Sequence, residues 1–120
     1  MAATGGDKYD PMRSQVSGET LADFLRQPIT ESITDVPGIG PAAAKKLAKV
    51  GITTCHQLIG KFLSFKGKGV SVQGHCDAFW DFLNETGISS HRSGVVQAVA
   101  ERVNILIPGT YVEGDDDEEY

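Results

Sequence analysis

The 120 residues predict an all-α fold, a compact bundle of about five short helices. Three observations carry that expectation. Apolar residues recur at three- and four-residue spacings through most of the chain. Gly and Pro stand where helices would end rather than where strands would pair. Strand-type alternation surfaces only weakly, around Val70 to Val72. The length supports one domain, and an apolar fraction of 40% supports one core with little margin.

Each element has its own signals. Residues 1–18 contain Gly, Ser and Asp without a period and read as a flexible N-terminal segment. Residues 19–26 place Leu21, Phe24 and Leu25 on one helical face, and Pro28 stops that helix. Ile33 and Val36 face the core in a short helix before a tight turn at Gly38, Ile39 and Gly40. Gly40 is then the N-cap of the next helix and Pro41 its first residue, where a missing N–H costs nothing. Ala44 and Leu47 mark that helix's buried stripe, and Gly51 its left-handed stop. Thr54 and Gln57 form a capping box that opens a helix with Leu58, Ile59, Phe62, Leu63 and Phe65 on a wide apolar face. Lys66-Gly67-Lys68-Gly69 is a loop by composition. A helix over 73–86 carries Cys76, Phe79, Phe82 and Leu83 inside and stops at Gly87. Ser89 or Ser90 caps a last helix whose stripe is Val95, Val96, Val99, Val103 and Leu106, and Pro108 ends it. The helical domain so delimited covers 19–107. Residues 108–120, with six acids at 113–119, read as a disordered, self-repelling tail.

The net charge of −5 is unevenly spread. Residues 1–27 carry −1, residues 28–107 carry +2 and residues 108–120 carry −6. The core is mildly basic, a balance that permits phosphate binding. Cys55 and Cys76 have neither metal spacing nor a disulfide framework, and no apolar run resembles a signal peptide or a membrane span. A soluble protein of a reducing compartment is expected, cytosol and nucleus fitting equally well.

The segment from Ile33 to Leu47 carries the chemistry. An apolar residue at 33 and 36, Gly-Ile-Gly at 38–40, a small residue at 44 and Leu at 47 make the pattern of a helix-hairpin-helix motif. Gly38 and Gly40 would allow positive φ and a close backbone approach. Ile39 would plug the hairpin into the core or pack beside a sugar. Amides at Gly38, Gly40, Ala42 and Ala43 would donate to phosphate oxygens, helped by the helix dipole, with charge from Lys45 and Lys46 one turn on. None of these groups reads base edges, so binding would be sequence-independent and steep in salt. The competing reading is a plain inter-helix turn, which Gly/Pro clusters usually are.

Other residues invite chemistry less. His56, His75 and His91 make no metal set, and no cofactor is indicated. Asp77 and Asp81 lie one turn apart on a helix. Paired carboxylates suggest acid–base catalysis, but a solvated helix face explains them and no nucleophile accompanies them. Trp80 falls off the buried stripe, either simply exposed or as an interaction point. The acidic tail is solubilising or competes with DNA for Lys45 and Lys46.

Beyond the hairpin, residues 28–107 resemble the barrier-to-autointegration factor family of small dimeric DNA-bridging nuclear proteins. The resemblance runs through residues 28–40, Lys45-Lys46-Leu47, Leu58-Ile59-Gly60-Lys61-Phe62-Leu63 and Phe79-Trp80-Asp81-Phe82-Leu83-Asn84-Glu85-Thr86. It implies a SAM-like all-α domain whose hairpin meets double-stranded DNA, with Lys46 and Lys45 assisting. It implies a second phosphate contact at His91 and Arg92. It places a homodimer interface on Leu58, Ile59, Gly60, Phe62 and Leu63, beside a groove for inner-nuclear-membrane or chromatin partners. Nuclear localisation, with a cytoplasmic share, follows from the resemblance alone. So does a weakening of DNA binding by phosphate added at Thr4 or Ser14. This chain departs from the family in its longer N-terminus, where Lys8 is the nearest basic candidate. It departs also in an insertion near 66–74, in Val103 and Ile107 at the end of the last helix, and in its acidic tail.

The expected function is therefore non-enzymatic: a homodimer that binds and bridges duplex DNA. The alternatives are a monomeric helix-hairpin-helix module of a repair or transcription complex, and an adaptor that binds only proteins.

Overall fold

The computed structural model describes residues 8–112. Thr4 and the acidic run at 113–119 lie outside the described residues. Five α-helices form the body: α1, Gly18–Arg26; α2, Pro41–Ala48; α3, Cys55–Ser64; α4, Val72–Glu85; and α5, Arg92–Leu106. Single 3-10 turns stand at Pro11–Arg13 and Ile33–Asp35. No strand occurs among the described residues, including 70–72. The leading helix expected before the hairpin is only the turn Ile33–Asp35.

Local signals set most helix ends. The Ser17 hydroxyl caps α1 by accepting from the Thr20 N–H, 3.1 Å away. At the start of α3, Thr54 and Gln57 close both halves of a capping box. Gly51 and Gly87 end α2 and α4 with φ of +87° and +99°. In each case the amide just after the glycine folds back, Ile52 to Leu47 O and Ile88 to Leu83 O. The start of α5 departs from expectation: neither Ser89 nor Ser90 caps it. His91 occupies the N-cap with φ 60° and ψ 21°, a left-handed conformation that histidine tolerates better than most residues.

The core is built around α5, which packs against α1, α3, α4 and the turn at Pro11–Arg13. Val95, Val96, Ala98, Val99, Ala100 and Val103 are all buried. Leu106 is not part of that stripe; it is 56% exposed at the helix end. Phe82 is only half-buried, at the rim of an aromatic cluster with Phe65 and Phe79. Gly94 lets the N-terminal arm touch α5 directly. A Cβ there would run into the Ser14 carbonyl oxygen.

That arm corrects the expectation of flexibility through residue 18. Tyr9 is 2% exposed, and its hydroxyl meets the Tyr111 hydroxyl at 2.6 Å. Its N–H donates to Asp77 Oδ1 and its carbonyl accepts from Gln73 Nε2. Lys8 pairs with Asp81 at 2.8 Å. Asp77 and Asp81 are thus more than a solvated face; they fasten the arm. Burial pushes the Asp77 carboxyl above its ordinary value, opposed by the Gln73 and Tyr9 hydrogen bonds. At the other end the ordered chain passes Pro108. Asn104 Oδ1 accepts from the amides of Gly109 and Tyr111, and Thr110 and Tyr111 are buried.

His75 has no exposed surface, stacks on Phe62 with centroids 4.0 Å apart, and reaches the Phe62 carbonyl through Nε2 at 2.7 Å. Nδ1 is buried with no partner among the described residues. Burial pushes the imidazole below 6.5, against the hydrogen bond to Phe62 and with a further push from Lys66. The unfolded chain binds this proton near 6.5 while the folded chain refuses it until lower pH. Stability is therefore complete above about 6.5 and falls as the pH drops below it. Thermal melts between about pH 7 and pH 5 are expected to show that fall, and a His75→Gln chain should show a flatter profile over the same window.

Candidate nucleic-acid interface

The hairpin is assembled from a turn and a helix start held at a fixed angle. The Val36 amide returns to Ile33 O and the Ile39 amide to Val36 O. Gly38, with φ +92°, reverses the chain. Ile39 is 4% exposed, so it plugs the hairpin into the core rather than facing a sugar. Gly40 differs from expectation: its φ of −94° and ψ of −173° are ordinary extended backbone, and nothing lies within 4 Å of where its Cβ would be. Its service is openness at the N-cap, not a left-handed turn. Pro41 follows as the first helical residue. The amides of Ala42 and Ala43 have no intrahelical acceptor, and no side chain caps them. Ala42 is exposed and Ala43 half-buried, so these donors open toward solvent at the positive end of α2.

The start of α5 lies beside this tip. Gly38, Ile39, Gly40, Ala42 and Ala43 share one shallow groove of about 540 Å³ with Ser90 and His91. His91 also lines a second cleft of about 370 Å³, with Lys8, Arg13, Gln15, Trp80, Ser89, Arg92 and Ser93. Among the described residues no carboxylate lines it. Arg92 is held in place there: Nη1 donates to Asn84 Oδ1 at 3.0 Å and to Ile88 O at 2.9 Å, and its guanidinium lies 4.4 Å from the Trp80 ring centre. All of those partners are neutral, so its charge is retained. Hairpin groove and cationic cleft meet at His91.

The other candidate residues are distributed differently. Lys45 is exposed on α2. Lys46 turns away to donate to Gly87 O at 2.7 Å, where it caps the end of α4. Leu58 and Phe62, expected at a homodimer interface, have no exposed surface and belong to the protomer's own core. The outer face of α3 consists instead of half-buried Ile59 and Leu63 with exposed Gly60 between them. Lys61 on the same helix lies over the Phe65 and Phe82 rings, 5.3 and 4.9 Å from their centres. Cys55 donates to the Ser32 carbonyl, and burial pushes the Cys76 thiol up to about 12, so it stays protonated. Among the described residues no group of three His, Cys, Asp or Glu could hold a metal ion. No helix among them is long and apolar enough to cross a membrane.

Arg13 and Gln15 were not foreseen in the cleft. The signal was Asp10-Pro11, a turn initiator. The Asp10 side chain accepts from the Met12 N–H and fixes the turn, while the Asp10 amide donates to Ser93 Oγ at the start of α5.

Neither the curated proteins nor the solved structures contain a match to this chain. A family model, barrier to autointegration factor, matches residues 15–101, which span the hairpin, α3, α4 and the greater part of α5. The chain therefore belongs to the barrier to autointegration factor family.

Proposed function

We propose that this protein is a non-enzymatic binder of double-stranded DNA that grips the phosphate backbone through a helix-hairpin-helix motif. The observation that carries the reading is the pair of uncapped amides at Ala42 and Ala43, open to solvent and adjoining a cleft lined by Lys8, Arg13 and Arg92. Amides aimed along a helix dipole bind phosphate oxygens without reading sequence. Family membership supports the same partner. A homodimer formed on the Ile59, Gly60 and Leu63 face of α3 would present two hairpins, and two hairpins bridge two duplex segments. Chromatin in the nucleus is the setting such bridging serves.

Gly40→Glu is the direct test, because a Cβ there has no atom of the fold within 4 Å and the side chain carries a carboxylate to the proposed phosphate site. Titration of duplex DNA at two salt concentrations should show affinity reduced tenfold or more, about 1.4 kcal/mol or above. Gly40→Ala should bind as the parent does, and parental affinity should fall steeply with salt. Equal affinity of the Gly40→Glu and parent chains would place the DNA elsewhere.

A further inference from the structure

We propose that Lys46 is a positioning residue for DNA binding: it holds the hairpin helix α2 on the carbonyl end of α4, while Lys45 beside it supplies the charge that meets phosphate. This role rests on the DNA-binding reading of the hairpin and gives its two lysines different parts. Three observations carry it. Lys46 Nζ donates to Gly87 O at 2.7 Å. The Lys46 stem lies along the same glycine: a Cβ at Gly87 would stand 3.5 Å from Lys46 Cδ and 3.9 Å from both Cε and Nζ. Lys45, by contrast, is exposed, and among the described residues no hydrogen bond or ion pair engages it.

The end of α4 calls for such a partner. Its last turn carries no basic residue, while its final carbonyls gather the negative end of the helix dipole. The cations arrive from other elements. Lys46 comes from α2. Arg92 comes from the start of α5, where Nη1 donates to Ile88 O at 2.9 Å and to Asn84 Oδ1 at 3.0 Å. The hairpin groove is shared by exactly these two elements, the tip of α2 and the start of α5, so both of its sides are tied to one helix end. For α2 the tie matters because little else holds it. The helix has eight residues, and Leu47 is its one buried residue. Among the described residues Lys46 makes the one side-chain hydrogen bond that α2 sends to another element. The donor amides of Ala42 and Ala43 stand about one turn before Lys46. Amides grip a phosphate only when aimed at it, so a short helix free to tilt loses register with His91.

The test compares the parent with Lys46→Met and Lys45→Met, two changes at exposed positions that keep a long apolar stem and helix propensity. Duplex-DNA affinity is measured over a series of salt concentrations, well below the melting range so that all three chains are folded. Melting is followed separately without DNA. Lys46→Met should melt a few degrees below the parent. It should bind about threefold to tenfold more weakly at every salt concentration, with the parent's slope of log affinity against log salt. Lys45→Met should melt with the parent and lose about 0.9 from that slope, the mark of one phosphate contact. A Lys46→Met chain whose slope drops by a similar amount would make Lys46 a direct phosphate contact and overturn the proposal. A Lys46→Met chain that melts lower yet binds DNA as the parent does also overturns it, because Lys46 is then a helix cap and nothing more. An unchanged slope in Lys45→Met overturns the part given to Lys45. A parent that binds no duplex at low salt overturns the DNA reading itself, an outcome distinct from every result obtained with a binding parent.

Discussion

A Gly38→Ala chain is expected to lose about 2–4 kcal/mol of stability, a melting shift of roughly 10–30 °C for a domain this small. Two independent costs meet at this position. The φ of +92° lies where an L side chain is strained, worth about 1–2 kcal/mol. The new Cβ would also stand 2.9 Å from Val95 Cγ2 and 3.2 Å from His91 Cβ, both on the side of the hairpin that meets α5. Val95 has no exposed surface and His91 is already left-handed, so neither has an easy retreat. Circular dichroism melts of Gly38→Ala and Gly40→Ala check the claim. The second should lose no more than about 1 kcal/mol, roughly 4–8 °C, the preference of an N-cap for Gly over Ala, since Gly40 has ordinary backbone angles and open space around it. Equal melting temperatures for the two variants would show that Gly38 is not a structural hinge. The pair also explains why lost DNA binding in a Gly38 variant is uninformative: the hairpin itself is lost.

The contrast between these glycines shows where sequence reasoning reaches and where it stops. Both sit in one Gly-Ile-Gly string, and the string marks a hairpin with its N-cap and Pro41 start. It does not tell which glycine bears the positive φ, because that depends on how α5 meets the turn. The stops at Gly51 and Gly87 and the Thr54–Gln57 box were legible because each is closed by residues within about five positions. The N-terminal arm was not. Tyr9 is buried by Gln73, Asp77 and Tyr111, partners 64 to 102 residues away, and its surrounding composition is that of a linker. The α5 cap was misread for a similar reason. Ser89 and Ser90 have the better capping chemistry, but packing of His91 against the hairpin decides where the helix begins. At the candidate site, the uncapped amides of Ala42 and Ala43 are local to the hairpin string, whereas Arg13 enters only because the ordered arm crosses the start of α5.

Leu58→Glu and Gly60→Glu are expected to separate core from interface on a single helix. Periodicity marks α3 as apolar over a wide face but does not divide that face between the protomer and a second copy. Burial does. Leu58 is fully enclosed and part of the central core, so a carboxylate there is driven into an apolar site with no partner. The expected cost is above about 4 kcal/mol, a large part of the total stability of a small domain. The chain should be unfolded or aggregated, not a folded monomer. Gly60 faces outward with nothing within 4 Å of its Cβ position, and Glu is the better helix former by roughly 0.5 kcal/mol or more. A Gly60→Glu chain should melt at or slightly above the parent temperature. If the proposed homodimer forms on this face, solution mass should drop from dimer to monomer in the same sample, because like charges would face each other across a self-complementary contact. Binding of a single duplex should persist while bridging of two is lost, since the hairpin lies on other elements. A Gly60→Glu chain that keeps the parent's mass and still bridges would move the dimer contact off α3.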